Sequence, residues 1–127
     1  CVYYGSEWGA KAHKSEGDPA LRACFEEPKW NELCDWIALL SEAKKESEAL
    51  NYGDFRSVVL TNKQCIFERK AAGERVLVAI NADSEPYTAH FDAGCGMAVD
   101  LISGKDHDFG GGSELPPYSA YFWKMEK

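Results

Sequence analysis

The side chains able to do chemistry are scattered along the chain. His13, His90 and His107 lie far apart, and none has a carboxylate or cysteine at the spacing of a metal-ligand motif. Neither a metal site nor a cofactor is expected. Asp106, His107 and Asp108 precede Gly110-Gly111-Gly112; two carboxylates there can hold a hard cation such as calcium, but the segment reads more simply as a solvated polar turn. The triple glycine lacks the Lys-Ser/Thr that completes a phosphate-binding loop, so it is read as a flexible turn. The five cysteines (Cys1, Cys24, Cys34, Cys65 and Cys95) include no pair at the two-residue spacing of a redox or zinc motif. They are read as free thiols at packing positions, which favours a reducing, cytoplasmic compartment. Asp18 and Arg22, four residues apart, are placed to form an ion pair across their loop.

The elements that carry these groups change character along the chain. Residues 2–4 are apolar and end at Gly5, which predicts a short strand; the polar stretch through Gly17 and Asp18-Pro19 predicts a loop. Pro28 suits the first position of a helix, and Trp30, Leu33, Cys34, Ile37 and Leu40 then recur at three- and four-residue steps. An amphipathic helix running to about Lys45 follows. From Gly53 onward the pattern is of short strands between turn signals, approximately 54–60, 64–70, 75–81, 87–91, 97–102 and 119–124, with a short one at 113–115. Alternation puts Val76, Val78 and Ile80 on one face, and Cys65 and Phe67 on one face of the strand before; these are the core candidates. The fold class expected is mainly β: an antiparallel β-sandwich preceded by one strand and one amphipathic helix. A lone strand and helix cannot bury their own apolar faces, so the first fifty residues look borrowed from a larger domain. The start at Cys1, inside an apolar run, suggests the same.

Composition narrows the function classes. With 45% hydrophobic and 28% charged residues the chain is globular in character. A net charge of −7 and no cluster of Lys or Arg argue against a nucleic-acid partner. No run approaches the roughly 20 apolar residues of a membrane span, so no membrane partner is expected.

Val2-Tyr3-Tyr4-Gly5-Ser6-Glu7-Trp8-Gly9 resembles the segment at the eighth barrel strand of α-amylase family glycoside hydrolases. Gly17-Asp18-Pro19-Ala20-Leu21-Arg22 is similar to the Asp-Pro-x-x-Arg segment of the cyclomaltodextrinase and neopullulanase branch, although the aromatic that follows shortly after it in the family is absent, Phe25-Glu26-Glu27 standing there. Residues 29–45 are similar to the eighth barrel helix. Ala49-Leu50-Asn51-Tyr52-Gly53 then resembles the family's connection into its C-terminal all-β domain, and four later segments follow the family's order: Phe67-Glu68-Arg69, Arg75 to Asn81, Asp100 to Gly104, and Leu115-Pro116-Pro117-Tyr118-Ser119-Ala120.

The resemblance implies residues 1–50 as the terminal strand, loop and helix of a truncated (β/α)8 barrel, and residues 51–127 as a β-sandwich domain. It implies a parent that cleaves α-glucosidic linkages of starch or maltodextrins, with catalytic carboxylates after earlier barrel strands. This chain would carry no catalytic residue. In the intact parent, Glu7, Asp18 and Arg22 would contact substrate, Glu7 standing beyond the C-terminal end of a barrel strand, where such enzymes hold their active sites. For Glu7 the structural alternative, a hydrogen-bonded carboxylate, is preferred. The partner implied is the catalytic barrel of the same polypeptide, and through it an α-glucan; a homodimer through residues 1–5 would satisfy the orphaned strand edges. The alternative function is a non-catalytic carbohydrate-binding module. For that purpose Trp8, Trp30, Trp36 and Trp123, like Tyr118, Tyr121 and Phe122, are read as core or edge packing before they are read as sugar platforms.

Overall fold

The computed structural model describes residues 1–125 and divides into two compact units, Cys1–Glu42 and Ala43–Lys127, of which the second is described to residue 125. In the first unit, residues 2–4 form no strand. A strand is held by hydrogen bonds to a neighbour, and no strand among the described residues pairs with these, so apolar character alone leaves them as an irregular, exposed segment. Two short 3₁₀ turns, Ser6–Trp8 and Lys14–Glu16, and a single helical turn α1 (Asp18–Leu21) follow.

Helix α2 (Glu32–Glu46) starts four residues after Pro28. The reason is the cap: the Asn31 carboxamide oxygen accepts from the Leu33 and Cys34 N–H groups at 3.1 and 3.2 Å, which stops the helix from extending backward. Glu32 and Asp35 in its first turn and Lys44 and Lys45 in its last complement the helix dipole. Its apolar series stays largely open to solvent. Cys34 is the buried residue of this helix; Leu33, Trp36, Leu39 and Leu40 are exposed, and so is Trp30 just ahead of it. Trp30 was expected in the core; instead its indole N–H donates to Asp35 Oδ1 at 2.7 Å at the surface.

In the second unit a short helix α3 (Glu48–Tyr52), capped by Ser47, leads into eight strands: β1 (Asp54–Leu60), β2 (Gln64–Ala71), β3 (Glu74–Asn81), β4 (Tyr87–Ala89), β5 (Met97–Asp100), β6 (Asp106–Asp108), β7 (Ser113–Leu115) and β8 (Ser119–Met125). Gly53 makes the entry possible, because a Cβ there would sit 2.5 Å from the Ala49 carbonyl oxygen and 2.7 Å from the Lys70 nitrogen. Six strands form an antiparallel sheet in the order β1-β2-β3-β8-β5-β6, and β4 pairs with β7 in a second sheet. The mainly β, antiparallel expectation holds. The segment Asp106–Asp108, read from sequence as a turn, is the edge strand β6, paired with β5 through Val99↔Asp106, Ala98↔His107 and Met97↔Asp108. Polar residues hide a strand from periodicity when only backbone pairing defines it.

The main core lies between the two sheets and contains Ile66, Leu77, Ala79, Ala89, Ala98, Leu115 and Trp123. It is built on the face of β2 and β3 opposite to the one carrying the expected core residues. On that other face a smaller cluster of Ala49, Val76 and Val78 packs with Leu50, Phe67 and Phe122, under α3. Val76 and Val78 are buried as expected. Phe67 and Cys65 are only partly buried, and Ile80 is 37% exposed, because it lies beyond the cover of α3 at the far end of β3.

Candidate functional site

The three residues singled out from sequence all fall in the first unit. Glu7 sits in the Ser6–Trp8 turn; its Oε2 is buried without a hydrogen-bond partner, as is the Trp8 indole nitrogen. Both residues line an apolar cleft of about 320 Å³ with Pro28, Lys29, Trp30, Cys34, Ile37 and Ala38. The turn is tied to α2 through the backbone: the Cys34 thiol donates to the Glu7 carbonyl at 3.0 Å, and the Asn31 amide donates to the Trp8 carbonyl at 3.0 Å. Asp18 and Arg22 pair with each other across α1 at 3.5 Å, with side chains 74% and 73% exposed, so their attraction is heavily screened by water. Neither of them lines the Glu7 cleft.

In the second unit two buried carboxylates are held in fixed ion pairs. Glu68 is buried between the guanidinium groups of Arg56 on β1 and Arg75 on β3. The Arg56 hydrogen bond is the largest influence on the Glu68 carboxyl and, with Arg75, holds it below the usual carboxylate range against the opposing effect of burial. Glu74 closes the start of α3: its Oε2 accepts from the Ala49 N–H at 2.7 Å and the Ser47 hydroxyl at 3.0 Å, while its Oε1 meets Lys124 at 2.6 Å. Burial pushes that carboxyl up, and these partners together more than reverse the push. Such triads fix strand and helix positions; each charge already has its partner. Among the described residues, no group of three or more His, Cys, Asp or Glu side chains is arranged to hold a metal.

His107, read from sequence as part of a solvated polar turn, and Trp123, read as core or edge packing, meet in the fold. The imidazole stacks on the Trp123 indole with centroids 4.1 Å apart and planes 6° apart, and its Nε2 is 2.8 Å from the Ser113 hydroxyl, so it links β6 to β7 and hence one sheet to the other. Burial lowers its affinity for a proton, with Asp108 and Asp100 opposing.

The other arrangement that sequence reasoning passed over lies where β3 ends and β8 begins. Asn81, 1% exposed, donates through its carboxamide nitrogen to the carbonyls of Glu85, Leu115 and Pro116 at 2.9, 3.0 and 3.0 Å. Its oxygen accepts from Gln64 Nε2 at 2.9 Å and from the Asp83 N–H at 3.0 Å. This knot presents the turn Pro116-Pro117-Tyr118, in which Tyr118 is 75% exposed rather than packed in the sandwich. Tyr118 has φ 50, the one positive φ outside glycine among the described residues. The sequence signal was the Pro-Pro pair, which fixes the approach to a left-handed position normally given to Gly or Asn.

The family model for the α-amylase C-terminal all-β domain matches residues 59–126. A cyclomaltodextrinase of Thermoanaerobacter pseudethanolicus is 30% identical over 87 residues, which is 66% of this chain; the chain spans 15% of the length of that relative. Among solved structures, a cyclomaltodextrin glucanotransferase with a three-domain ABC distribution superimposes with a TM-score of 0.79 at 24% identity, over 99% of this chain and 29% of its own. An α-amylase of Anoxybacillus superimposes with a TM-score of 0.75 at 22% identity, over 84% of this chain and 25% of its own. At these identities the structural neighbours establish the fold alone.

Proposed function

Because the chain belongs to the α-amylase C-terminal all-β domain family, we propose that it is the accessory C-terminal part of a glycoside hydrolase that cleaves α-glucosidic linkages of starch or maltodextrins. Residues 1–50 are the last strand, loop and helix of its (β/α)8 barrel, residues 51–127 are the β-domain, and the catalytic carboxylates belong to the rest of that barrel. The observation that carries this reading is the uncovered apolar surface of the first unit. Val2, Tyr3, Tyr4, Trp30, Leu33, Trp36, Leu39 and Leu40 are all exposed. An apolar series this dense marks an interaction surface. Covering Trp30, Leu33, Ile37 and Leu40 alone is worth about 6–12 kcal/mol as an upper figure, comparable to the stability of a small domain. A barrel wall is the cover that matches a helix together with a second apolar segment of the same unit.

On this reading Glu7, Asp18 and Arg22 stand at the substrate side of the barrel in the intact protein. The unpartnered Glu7 carboxylate oxygen has an unused acceptor for a donor supplied by the barrel or by a sugar hydroxyl. Without the barrel, residues 1–5 pair with a second copy of the chain, since a strand edge is satisfied most fully by another strand. The five free cysteines favour a cytoplasmic setting, and among the described residues no helix is long and apolar enough to cross a membrane.

The test is enzymatic. Retaining hydrolysis needs two carboxyl groups about 5 Å apart around the scissile bond, so this chain should release no nitrophenol from a nitrophenyl maltoside above the buffer rate. Its coding sequence should continue upstream into barrel strands followed by an Asp, a Glu and a further Asp. Hydrolysis that survives repurification, or an upstream sequence without those carboxylates, would sink the proposal. Light scattering on this chain and on one starting at Pro28 tests the dimer: the first should be dimeric and the second monomeric.

A further inference from the structure

The Pro116-Pro117-Tyr118 turn combines features that packing does not require. A tyrosine held at φ 50 is strained, since its Cβ crowds the following carbonyl where glycine has none. Strain of this kind persists only where the surroundings impose it. Here the imposing element is the buried Asn81, which gathers the carbonyls of Leu115 and Pro116 from below, together with the Tyr118 N–H donating to the Asp83 carbonyl at 3.0 Å and the Ser119 hydroxyl donating to the Pro116 carbonyl at 2.7 Å. The result is a rigid backbone carrying a ring that is 75% exposed. A ring placed this way contributes almost nothing to the core and is open to contact from outside the domain.

The surroundings of the ring narrow what that is. Lys63 Nζ and Asp83 Oδ1 form a 2.8 Å ion pair, and the Ser84 N–H donates to the same carboxylate oxygen at 2.7 Å. Each member of the pair favours the charged form of the other, and the backbone bond from the Tyr118 N–H to the Asp83 carbonyl sets the tyrosine directly beside the residue that carries the pair's carboxylate. A flat apolar face next to one strong acceptor and one strong donor matches a pyranose, whose axial C–H face stacks on an aromatic ring while its rim of hydroxyls takes both kinds of hydrogen bond. A protein partner would call for a broader desolvated apolar centre than a single ring rimmed by an ion pair.

We propose that Tyr118, with Lys63 and Asp83, forms a surface site that binds an α-linked glucan chain by stacking one glucose unit on the phenol ring. The choice of α-glucan over other sugars rests on the function proposed above. The site holds substrate without hydrolysing it, and it accounts for a tyrosine where glycine or asparagine would fit the backbone better.

The experiment is titration of the ¹⁵N-labelled chain with maltoheptaose, followed by amide chemical shifts, with cellohexaose as the control of opposite linkage. Shifts should concentrate on Lys63, Ser84, Tyr118 and Ser119 and be far smaller with cellohexaose. Tyr118→Asn keeps a residue that tolerates the left-handed turn, so its melting temperature should match or exceed that of the native chain, while affinity falls about tenfold or more through loss of the ring. Tyr118→Phe should retain binding, because the platform remains, and Asp83→Ala should weaken it. Absence of shifts at these residues, unchanged affinity in a folded Tyr118→Asn chain, or an equal response to cellohexaose overturns the site. The absence of catalysis and the upstream carboxylates are measured independently of this titration. A null result here therefore removes the site and leaves the accessory-domain reading standing.

Discussion

Replacing Asn81 with alanine should be among the most damaging single changes in the β-domain, although it deletes only a carboxamide. The side chain makes five hydrogen bonds within 3.0 Å, three as donor and two as acceptor. Its partners on Glu85 and Asp83 are near enough to solvent to be rescued by water, and Pro116 is exposed; Leu115, at 0% exposure, and Gln64, at 9%, are not. Leaving a buried carbonyl and a buried amide N–H unpaired costs about 1–3 kcal/mol each, and the lost bonds at the three wetter partners add about 0.5 kcal/mol each or more. The sum is about 3.5–7.5 kcal/mol, a large part of the roughly 5–15 kcal/mol that stabilises a domain. At about 4–8 °C per kcal/mol for a domain of this size, the melting temperature followed by far-ultraviolet circular dichroism should drop by at least about 14 °C. The turn amides at 116–119 should also lose protection in hydrogen exchange before the sheet does. A melting temperature within about 4 °C of the native value would refute the claim that Asn81 ties the end of β3 to the start of β8.

Three further outcomes follow from the packing. Val78→Asp, at a position 3% exposed, should unfold the domain, whereas Ile80→Asp two residues along, at 37%, should leave it folded; equal melting temperatures for the two variants would contradict the assignment of faces. Gly53→Ala should lower thermal stability sharply, since its methyl would collide with the Ala49 carbonyl and the Lys70 backbone and neither can yield without moving α3 or β2; an unchanged melt would show that the entry to β1 is more tolerant than the geometry implies. His107 binds a proton less readily when folded than its ordinary value of 6.5 allows, so between that value and the lower folded one the unfolded chain carries more protons and stability falls as the pH is lowered through that window. Denaturant titrations of His107→Gln should lack this component of the slope, and an identical pH profile in native and variant chains would exclude it.

The sequence determined which segments become strands wherever the signal is local. β1 at Asp54–Leu60 and β7 at Ser113–Leu115 end where the pattern places them, because turn residues and side-chain alternation act within a few residues of the chain. The family was legible for a related reason: a series of such segments in a fixed order is a one-dimensional property. Which face of the sheet became the main core was not. β3 is buried on both faces from Val76 to Ala79, so its alternation cannot choose between them. The choice came from tertiary structure, which seats β3 between β2 and β8, lays the β4–β7 sheet over Leu77 and Ala79, and leaves Val76 and Val78 to the small helix α3. The same holds for β6, a polar strand that exists because β5 has a free edge, and for residues 2–4, apolar but unpaired because hydrogen bonding between strands needs a neighbour. Tyr118 shows the limit from the other side: its two prolines announced a turn, but only the long-range bonds of Asn81 turned that segment into an exposed, left-handed tyrosine, since a conformation that costs energy locally must be held by contacts distant in sequence.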